Sequence, residues 1–234
     1  MDELTFNTQV GPLTLEVSET TFRPSTVTRM LADNMTVSPN DTVIDVGTGS
    51  GVLAILAAKL GSRRVYATDT APDVVEIGSR NAARHGVADN IEFLQGDLFD
   101  PIPADVRADL IVGDVSGIPD ALARESGWFP SGSGGGPSGI ELPIRMLRGA
   151  IERLQTSGRL LLPAGSIQDE STLISAARAL FGSMRRLAER VVPLPQALAD
   201  SEVLAKLVRQ GMVHVTQRGS RMLWSIGVWE CTTA

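Results

Sequence analysis

The chain has 234 residues, of which 43% are hydrophobic and 21% are charged, and its net charge is −6. This length and composition fit one globular domain, with or without an appendage, and exclude a fibrous or intrinsically disordered protein. The acidic balance argues against nucleic acid as the main partner, because phosphate backbones bind clustered Lys and Arg. The single cysteine and two histidines exclude a disulfide framework and argue against a structural zinc site.

The N-terminal segment and the apolar stretches bear on where the protein works. The first ten residues lack the basic start and apolar core of a signal peptide. The longest apolar stretch, VLAILAAKL, is too short to cross a bilayer. We therefore expect a soluble cytoplasmic protein with no membrane partner.

Strands and helices alternate along most of the chain. Residues 4–22 alternate polar and apolar side chains about a Gly-Pro turn, which predicts an N-terminal β-hairpin within residues 1–22. Ser25 or Thr26 is placed to cap a short helix over 24–35. Further strands are predicted at 42–46, 63–70, 90–97, 108–115, 158–165, 189–195 and 222–231, and further helices at 52–60, 71–86, 140–155, 169–188 and 201–211.

This alternation predicts an α/β fold, because βαβ units build a parallel sheet with helices on both faces. We expect a doubly wound, mostly parallel, seven-stranded Rossmann-like sheet in a single domain over residues 1–234. Residues 115–139 are rich in Gly, Ser and Pro, which favours a flexible loop within that domain. Ligands of such sheets bind beyond the carboxyl ends of the strands, so the functional motifs should follow strands.

The clearest motif is a glycine-rich turn between the strand at 42–46 and the next helix. Gly47, Gly49 and Gly51 have the spacing G-x-G-x-G, which allows a tight turn and a close approach of the backbone to a ligand. The dinucleotide fingerprint would require glycine where Val52 stands, which disfavours a nicotinamide-dependent oxidoreductase. Asp45 precedes the turn, and a carboxylate there suits a cationic ligand better than a pyrophosphate.

Two more acids follow the next two strands. Asp69, followed by Thr70, ends the second strand of the sheet, 24 residues after Asp45. A carboxylate at about that distance can accept hydrogen bonds from ribose hydroxyls, although it could instead cap the next helix. Asp97 follows the third strand and could accept from an exocyclic amine, while Leu98 could cover a base.

Together these motifs resemble the class I S-adenosylmethionine-dependent methyltransferases over roughly residues 20–165. Within that class, FRPSTVT, VIDVGTGSGVLAILAAKLG, VYATDTAPDVVEIGSRNAARHG, IEFLQGDLFDPI and ADLIVGDVSG are most similar to the release-factor glutamine methyltransferases and related small N-methyltransferases. The later GGGPSGIELPIRMLRGAIERLQTSGRLLLPAGS extends the resemblance. The resemblance implies S-adenosylmethionine as the cofactor.

The resemblance also implies roles for individual residues. The three glycines of the turn would wrap the methionine part and ribose of the cofactor, and Thr26 would lie near its methionine end. Asp69 would bind the ribose diol, while Asp97 and Leu98 would contact adenine. We add Asp45, Thr70 and Asp114 as candidate cofactor contacts.

The chain departs from this family after the fourth strand. The family has an Asn-Pro-Pro-Tyr motif there, which accepts hydrogen bonds from the planar NH2 group that is methylated, whereas this chain has DVSG, Asp114 to Gly117. An ionised Asp114 could orient a protonated amine or guanidinium and take up its proton, which favours a nitrogen acceptor over an oxygen acceptor. Ser116 is a second catalytic candidate, and Asp114 could alternatively be a helix cap.

Candidate acceptor contacts are fewer. Trp128 and Phe129 beside the glycine run could form a lid or could anchor the loop on the core, and we weigh these readings equally. Arg23 could recognise a carboxylate. Family members that act on release factors carry a helical domain before the hairpin, which this sequence lacks, so we expect a different acceptor.

We therefore predict a methyltransferase acting on a nitrogen of a small molecule or peptide, with a homodimer as a possible assembly. The alternatives are a protein or RNA methyltransferase of the translation machinery, a small-molecule O-methyltransferase, and a non-catalytic cofactor-binding subunit.

Overall fold

A computed structural model describes residues 1–129 and 132–233. Two residues of the predicted loop at 115–139, at positions 130 and 131, therefore lie outside the described residues. The strands are β1 (Asp2–Thr8), β2 (Gly11–Val17), β3 (Thr42–Val46), β4 (Arg64–Asp69), β5 (Ile91–Gln95), β6 (Ala108–Gly113), β7 (Leu154–Gly165), β8 (Ser183–Pro193), β9 (Thr216–Arg218) and β10 (Arg221–Thr232). The α-helices are α1 (Thr26–Asn34), α2 (Val52–Lys59), α3 (Val74–Arg84), α4 (Asp120–Ser126), α5 (Glu141–Arg153), α6 (Glu170–Leu180), α7 (Gln196–Ala199) and α8 (Glu202–Arg209).

The predicted α/β fold is confirmed. The central sheet has the strand order β5-β4-β3-β6-β7-β10-β8, and β9 adds a short eighth strand beside β10. The five neighbouring strands β5, β4, β3, β6 and β7 are parallel, whereas β10 runs antiparallel to β7 and β8. The seven-stranded, mostly parallel arrangement expected from the sequence therefore forms the body of the molecule.

The sheet is covered on both faces, because neighbouring residues of its central strands enter different cores. In β3, Val43 packs in one hydrophobic cluster with α1 and α2, while Ile44 packs in a second cluster with α5 and α6. A strand buried on both faces consists of a continuous apolar run, which is the pattern seen at β3 and β6. Helix α2 follows the glycine turn and is buried from Val52 to Ala57.

The predicted N-terminal hairpin is also confirmed. Strands β1 and β2 pair antiparallel, and the alternating residues Leu13, Leu15 and Val17 face the core. The buried amide of Asn81 joins the hairpin to the glycine turn: it accepts from Glu16 N at 2.7 Å and donates to the carbonyl oxygens of Glu16 and Ser50 at 3.0 and 2.9 Å. The hairpin thus braces the turn from behind.

The structure differs from the predicted local structure in two places. The helix predicted over 169–188 ends at Leu180, and strand β8 begins at Ser183, because Phe181 is buried and Gly182 donates to Thr232 O at the end of β10. The segment at 115–139 contains helix α4, whose Leu122 and Ala123 pack in a third hydrophobic cluster with residues of α7 and α8. Pairing across the sheet and packing of the loop outweighed the local signals.

Throughout residues 1–129 and 132–233, every helix falls short of what a bilayer-spanning segment needs.

Candidate active site

A cavity of about 860 Å³ opens at the carboxyl ends of the parallel strands. That volume lies within the range of small-molecule sites in proteins. It brings together most of the residues that the sequence singled out: Arg23, Thr26, Gly47, Asp69, Thr70, Asp97, Leu98, Asp114, Ser116, Trp128 and Phe129. We call the wall at the ends of β3, β4 and β5 the cofactor side, after its predicted role. The acceptor side is the wall formed by Phe22 and by β6, β7, β8 and β10 with their loops.

The glycine turn forms the floor between the two sides. Gly47 has φ +77°, and a Cβ atom there would lie 2.9 Å from the backbone oxygen of Asp114. Gly51 has φ +83°, and its Cβ would lie 2.9 Å from the ring of Phe93. Only glycine meets both demands, a left-handed backbone and no room for a side chain. Gly47 lines the cavity, while Gly49 and Gly51 lie behind this lining and shape the turn.

Asp69 lies at the end of β4 and is held in place by backbone groups. Its Oδ2 accepts from Gly49 N at 2.9 Å, and its Oδ1 accepts from Ala71 N at 3.0 Å. Helix α3 instead has Asp73 at its N-cap, so Asp69 does not cap that helix. Each carboxylate oxygen retains a lone pair for a hydroxyl group in the cavity, and the exposed Thr70 beside it also lines this wall.

Asp97 and Leu98 complete the cofactor side. Asp97 pairs with Arg145 of α5 at 2.5 Å, and both side chains are about half exposed. Leu98 has φ +48°, an uncommon conformation for a leucine, and Thr68 Oγ1 donates to its backbone oxygen at 2.7 Å. Such strained residues cluster at ligand sites, where the surrounding structure holds them.

Asp45 lies behind the lining, below the turn, and is buried. Its Oδ2 accepts from Thr48 Oγ1 at 2.6 Å and from Ala54 N at 3.0 Å, whereas its Oδ1 is buried with no hydrogen-bond partner. Burial raises the pKa of Asp45 to about 7, and the charges of Asp114 and Asp69 add to the rise. Asp45 therefore stabilises the glycine turn through its hydrogen bonds, and its charge interacts with Asp69 and Asp114 of the cavity.

Asp114 lies where the two sides meet. Its Oδ2 accepts from Thr28 Oγ1 at 2.6 Å, and among the described side chains no other donor reaches this carboxylate. Thr28 belongs to the capping box of α1, in which Ser25 is the N-cap and accepts from Thr28 N. Burial raises the pKa of Asp114 to about 6, and the hydrogen bond from Thr28 opposes that rise. Asp114 is therefore positioned by a helix terminus far away in sequence.

Four aromatic side chains line the acceptor side: Phe22, Trp128, Phe129 and Trp224. The rings of Phe22 and Phe129 stack with centroids 5.4 Å apart, and those of Trp128 and Trp224 stack at 6.4 Å. Trp128 and Phe129 also pack against the third hydrophobic cluster, which favours an anchored loop over a free lid. Arg23 lines the cavity mouth and forms an exposed ion pair with Asp2.

Sequence reasoning did not assign Phe22, Gln168 and Trp224, which line this cavity, or Thr28, which donates a hydrogen bond to Asp114. The capping pattern S-x-x-T at 25–28 is visible in the sequence, but it does not say which side chain Thr28 will meet. Phe22, Gln168 and Trp224 come from distant segments that only the folded chain brings together. The predicted Ser25 cap of the first helix is confirmed.

The residues present fit an adenosyl sulfonium. The cofactor side offers carboxylates for hydroxyl and amine donors, and Leu98 offers an apolar contact beside them. Asp45, Asp69 and Asp114 are close enough for their charges to act on one another, and such an acidic cluster favours a cationic ligand.

Several known proteins resemble this chain in sequence. Residues 21–119 match the family model of the ribosomal protein L11 methyltransferases. An L11 methyltransferase of Pelotomaculum thermopropionicum is 46% identical over 87 residues, which cover 37% of this chain and 27% of that protein. A release factor glutamine methyltransferase of Moorella thermoacetica is 35% identical over 158 residues, which cover 65% of this chain and 54% of that protein.

A similar fold occurs in a solved structure, the precorrin-6y C5,15-methyltransferase of Geobacter metallireducens. It has a TM-score of 0.55 at 12% identity, and the match covers 94% of each chain. The predicted resemblance to class I S-adenosylmethionine-dependent methyltransferases is therefore confirmed in sequence and in fold. The chain spans only about a quarter to a half of the length of the two sequence relatives named above.

Proposed function

We propose that this chain, with the fold and sequence motifs of the class I S-adenosylmethionine-dependent methyltransferases, transfers a methyl group to a nitrogen atom of a small molecule or peptide. The observation that carries the proposal is the Asp114 carboxylate at the boundary between the two sides of the cavity. The backbone oxygen of Asp114 packs against Gly47, and Asp114 lines the same cavity as the aromatic residues of the acceptor side.

The cofactor side would hold the adenosyl group through its carboxylates. Asp69 would accept from the ribose hydroxyls, and Asp97 with Leu98 would contact adenine. Thr26 at the start of α1 would lie near the methionine end, where Gly47 allows a close backbone approach. When bound, S-adenosylmethionine supplies a methyl group on a positively charged sulfur.

The acceptor side has two tasks, to orient the nitrogen and to manage its proton. The lone pair of the nitrogen forms the new nitrogen–carbon bond as the carbon–sulfur bond breaks, and the nitrogen must lose one proton overall. Asp114 is the group that would take up this proton, and the loop serine Ser116 could add a hydrogen bond to the acceptor. A base with a pKa of about 6 is ionised at pH 7.5 and can still accept a proton.

The nitrogen acceptor is favoured over an oxygen acceptor by the charge of this wall. An ionised carboxylate attracts a protonated amine and orients its N–H groups, which a neutral hydroxyl would not need. Among the described residues of the acceptor side, Asp114 is the one acidic side chain that lines the cavity.

Calorimetry with S-adenosylhomocysteine tests the first half of the proposal. We expect binding of this product and no binding of NAD, because Val52 replaces the third glycine of the dinucleotide fingerprint. Binding of NAD alone would overturn the proposal.

Mass spectrometry across small amines, peptides and proteins tests the second half of the proposal. A gain of one methyl group on nitrogen would support it. Methylation confined to oxygen would contradict the proposed acceptor class.

A second candidate is a protein methyltransferase of the translation machinery. The names of the two sequence relatives favour it, since both are described as acting on components of that machinery. Methylation of ribosomal protein L11 or a release factor, in preference to every small amine, would establish this alternative.

A further inference from the structure

The acceptor side has few polar side chains for its size. From β6 onward, the described lining residues with polar side chains are Asp114, Ser116 and Gln168, apart from the two tryptophan indoles. The rest of the wall consists of aromatic, aliphatic, proline and glycine residues. A site of this kind obtains its specificity from the few polar groups that it contains. Asp114 and Ser116 already have proposed roles, so Gln168 is the polar group left to explain.

Gln168 is only 4% exposed, and its Nε2 is buried with no hydrogen-bond partner among the described residues. The backbone around it is held firmly. Gln168 N donates to Gly165 O at 3.3 Å, and Glu170 N donates to Gln168 O at 2.7 Å. Buried amides in folded proteins are nearly always hydrogen-bonded, so an unpaired one on a cavity wall indicates a partner that binds there.

The loop after β6 makes room for this side chain. A Cβ atom on Gly117 would lie 2.7 Å from Gln168 Oε1, so a larger residue at 117 would displace the amide. Gly117 is the last residue of the DVSG segment that begins with Asp114. The amide of Gln168 therefore packs directly on the segment that carries the proposed proton acceptor.

We propose that Gln168 positions the methyl acceptor by donating a hydrogen bond from Nε2 to an oxygen or ring nitrogen of a planar, largely apolar amine. Trp128 and Trp224 contact the body of that molecule, and Asp114 contacts the N–H group that is methylated. This inference rests on the proposed methyltransferase function and narrows its acceptor to planar amines with a second polar atom.

The planar shape of the proposed acceptor is inferred from the aromatic side chains of the acceptor side. Aromatic side chains bind flat rings by offset stacking and bind cationic amines through their π faces. The second polar atom follows from the unpaired amide, because an acceptor without one would leave Nε2 buried and unsatisfied in the complex. Gln168 would then discriminate between molecules that differ in one atom or group.

Calorimetry on the protein saturated with S-adenosylhomocysteine tests this inference with matched pairs of probes. The pairs are 3-aminobenzamide with 3-methylaniline, and 3-aminopyridine with aniline, so that one member of each carries the accepting oxygen or ring nitrogen. Cyclohexylamine is the non-planar control. We expect the wild type to bind the accepting member of at least one pair about tenfold more tightly, the value of one net hydrogen bond.

Variants assign that preference to one side chain. Gln168→Leu should bind both members of the pair equally, whereas Gln155→Leu, the same change at an exposed site on β7, should behave as the wild type. Gln168→Met keeps a side chain of similar size but removes the donor, so it should also lose the preference, and it covers the case in which Gln168→Leu fails to fold.

The outcomes separate this inference from the proposed function. Absence of S-adenosylhomocysteine binding by the wild type would refute the methyltransferase proposal itself. Normal binding of that product, together with no planar amine bound, or with equal binding within both pairs, would overturn only the inference about Gln168. A binding preference that survives both substitutions at position 168 would also overturn only the inference about Gln168.

Discussion

The cofactor side and the acceptor side of the cavity are built in different ways. The cofactor side comes from one continuous stretch of the chain, from β3 to Leu98. In this stretch, strands that are consecutive in sequence are also neighbours in the sheet. The acceptor side is collected from five separate segments, which contribute Phe22, Asp114, Trp128, Gln168 and Trp224. A site made by consecutive βαβ units leaves a local pattern in the sequence, whereas a site made by distant segments does not.

The two sides also differ in how their polar groups are satisfied. On the cofactor side, Asp69 accepts two backbone N–H groups and Asp97 has an arginine partner. On the acceptor side, Asp114 has one hydroxyl donor among the described residues, and Gln168 Nε2 has no partner. The cofactor side is thus preorganised by the chain itself, and the acceptor side is left to be completed by its ligand.

The largest effect should come from Asp114→Asn, and it should separate the two sides. We expect turnover to fall at least a hundredfold, because an amide cannot take up the acceptor proton, while S-adenosylhomocysteine affinity changes only a few-fold. Steady-state kinetics and calorimetry measure the two quantities. Asp105→Asn, at an exposed acid before β6, serves as the control. Full turnover in Asp114→Asn would remove this residue from the mechanism.

The pH dependence of activity is a second test of the role of Asp114. Activity of the wild type should rise with pH through about 6, the pKa of Asp114, because the carboxylate must be ionised to accept a proton. Thr28→Val removes the hydrogen bond that lowers this pKa, so the acidic limb should move to higher pH. An acidic limb that stays in place in Thr28→Val would show that another group controls it.

Asp69→Asn should weaken S-adenosylhomocysteine binding, whereas Asp114→Asn should mainly lower turnover. We expect S-adenosylhomocysteine to bind about thirtyfold more weakly, since hydrogen bonds to a charged group contribute about 1.5–3 kcal/mol. Calorimetry measures this loss, and Asp89→Asn, in the exposed turn before β5, is the matched control. Unchanged affinity would mean that the cofactor does not contact the end of β4.

A smaller effect should appear in folding. Gly51→Ala should lower the free energy of unfolding by about 2 kcal/mol or more, through its left-handed backbone and its clash with Phe93. Gly86→Ala has the backbone strain alone, since nothing lies within 4 Å of its Cβ position. Denaturant titration measures the free energy of unfolding of both variants, and the difference between their losses gives the contribution of the clash. Equal losses would show that Phe93 moves aside without cost.

The smallest effect concerns Asp45, whose pKa is raised by burial to about 7. Because the folded state holds this proton more tightly than the unfolded chain, its contribution to stability is full at low pH and is lost as pH rises through 7. We expect a loss of roughly 1 kcal/mol between pH 6 and pH 8. Asp45→Asn keeps an oxygen for Thr48 and Ala54 and should lack this loss in denaturant titrations. An identical pH slope in both proteins would contradict the assignment.

The sequence by itself determined the parallel sheet, the hairpin, the glycine turn and the acids after β4 and β5. These features depend on local patterns: alternation, continuous apolar runs, and glycines where the backbone must turn left-handed. It also identified Asp114 as the point of departure from the resembling family, because that residue follows a recognisable strand.

The tertiary structure alone decided the strand at 183–188, the helix at 120–126 and the acceptor wall. Residues 183–188 have a helix-like composition, but pairing with β10 along the edge of the sheet draws them into a strand. Thr28 meets Asp114 across 86 positions of the chain, and Gln168 meets Gly117 across 51. Contacts at such separations depend on how the whole sheet is assembled, and no local pattern encodes them.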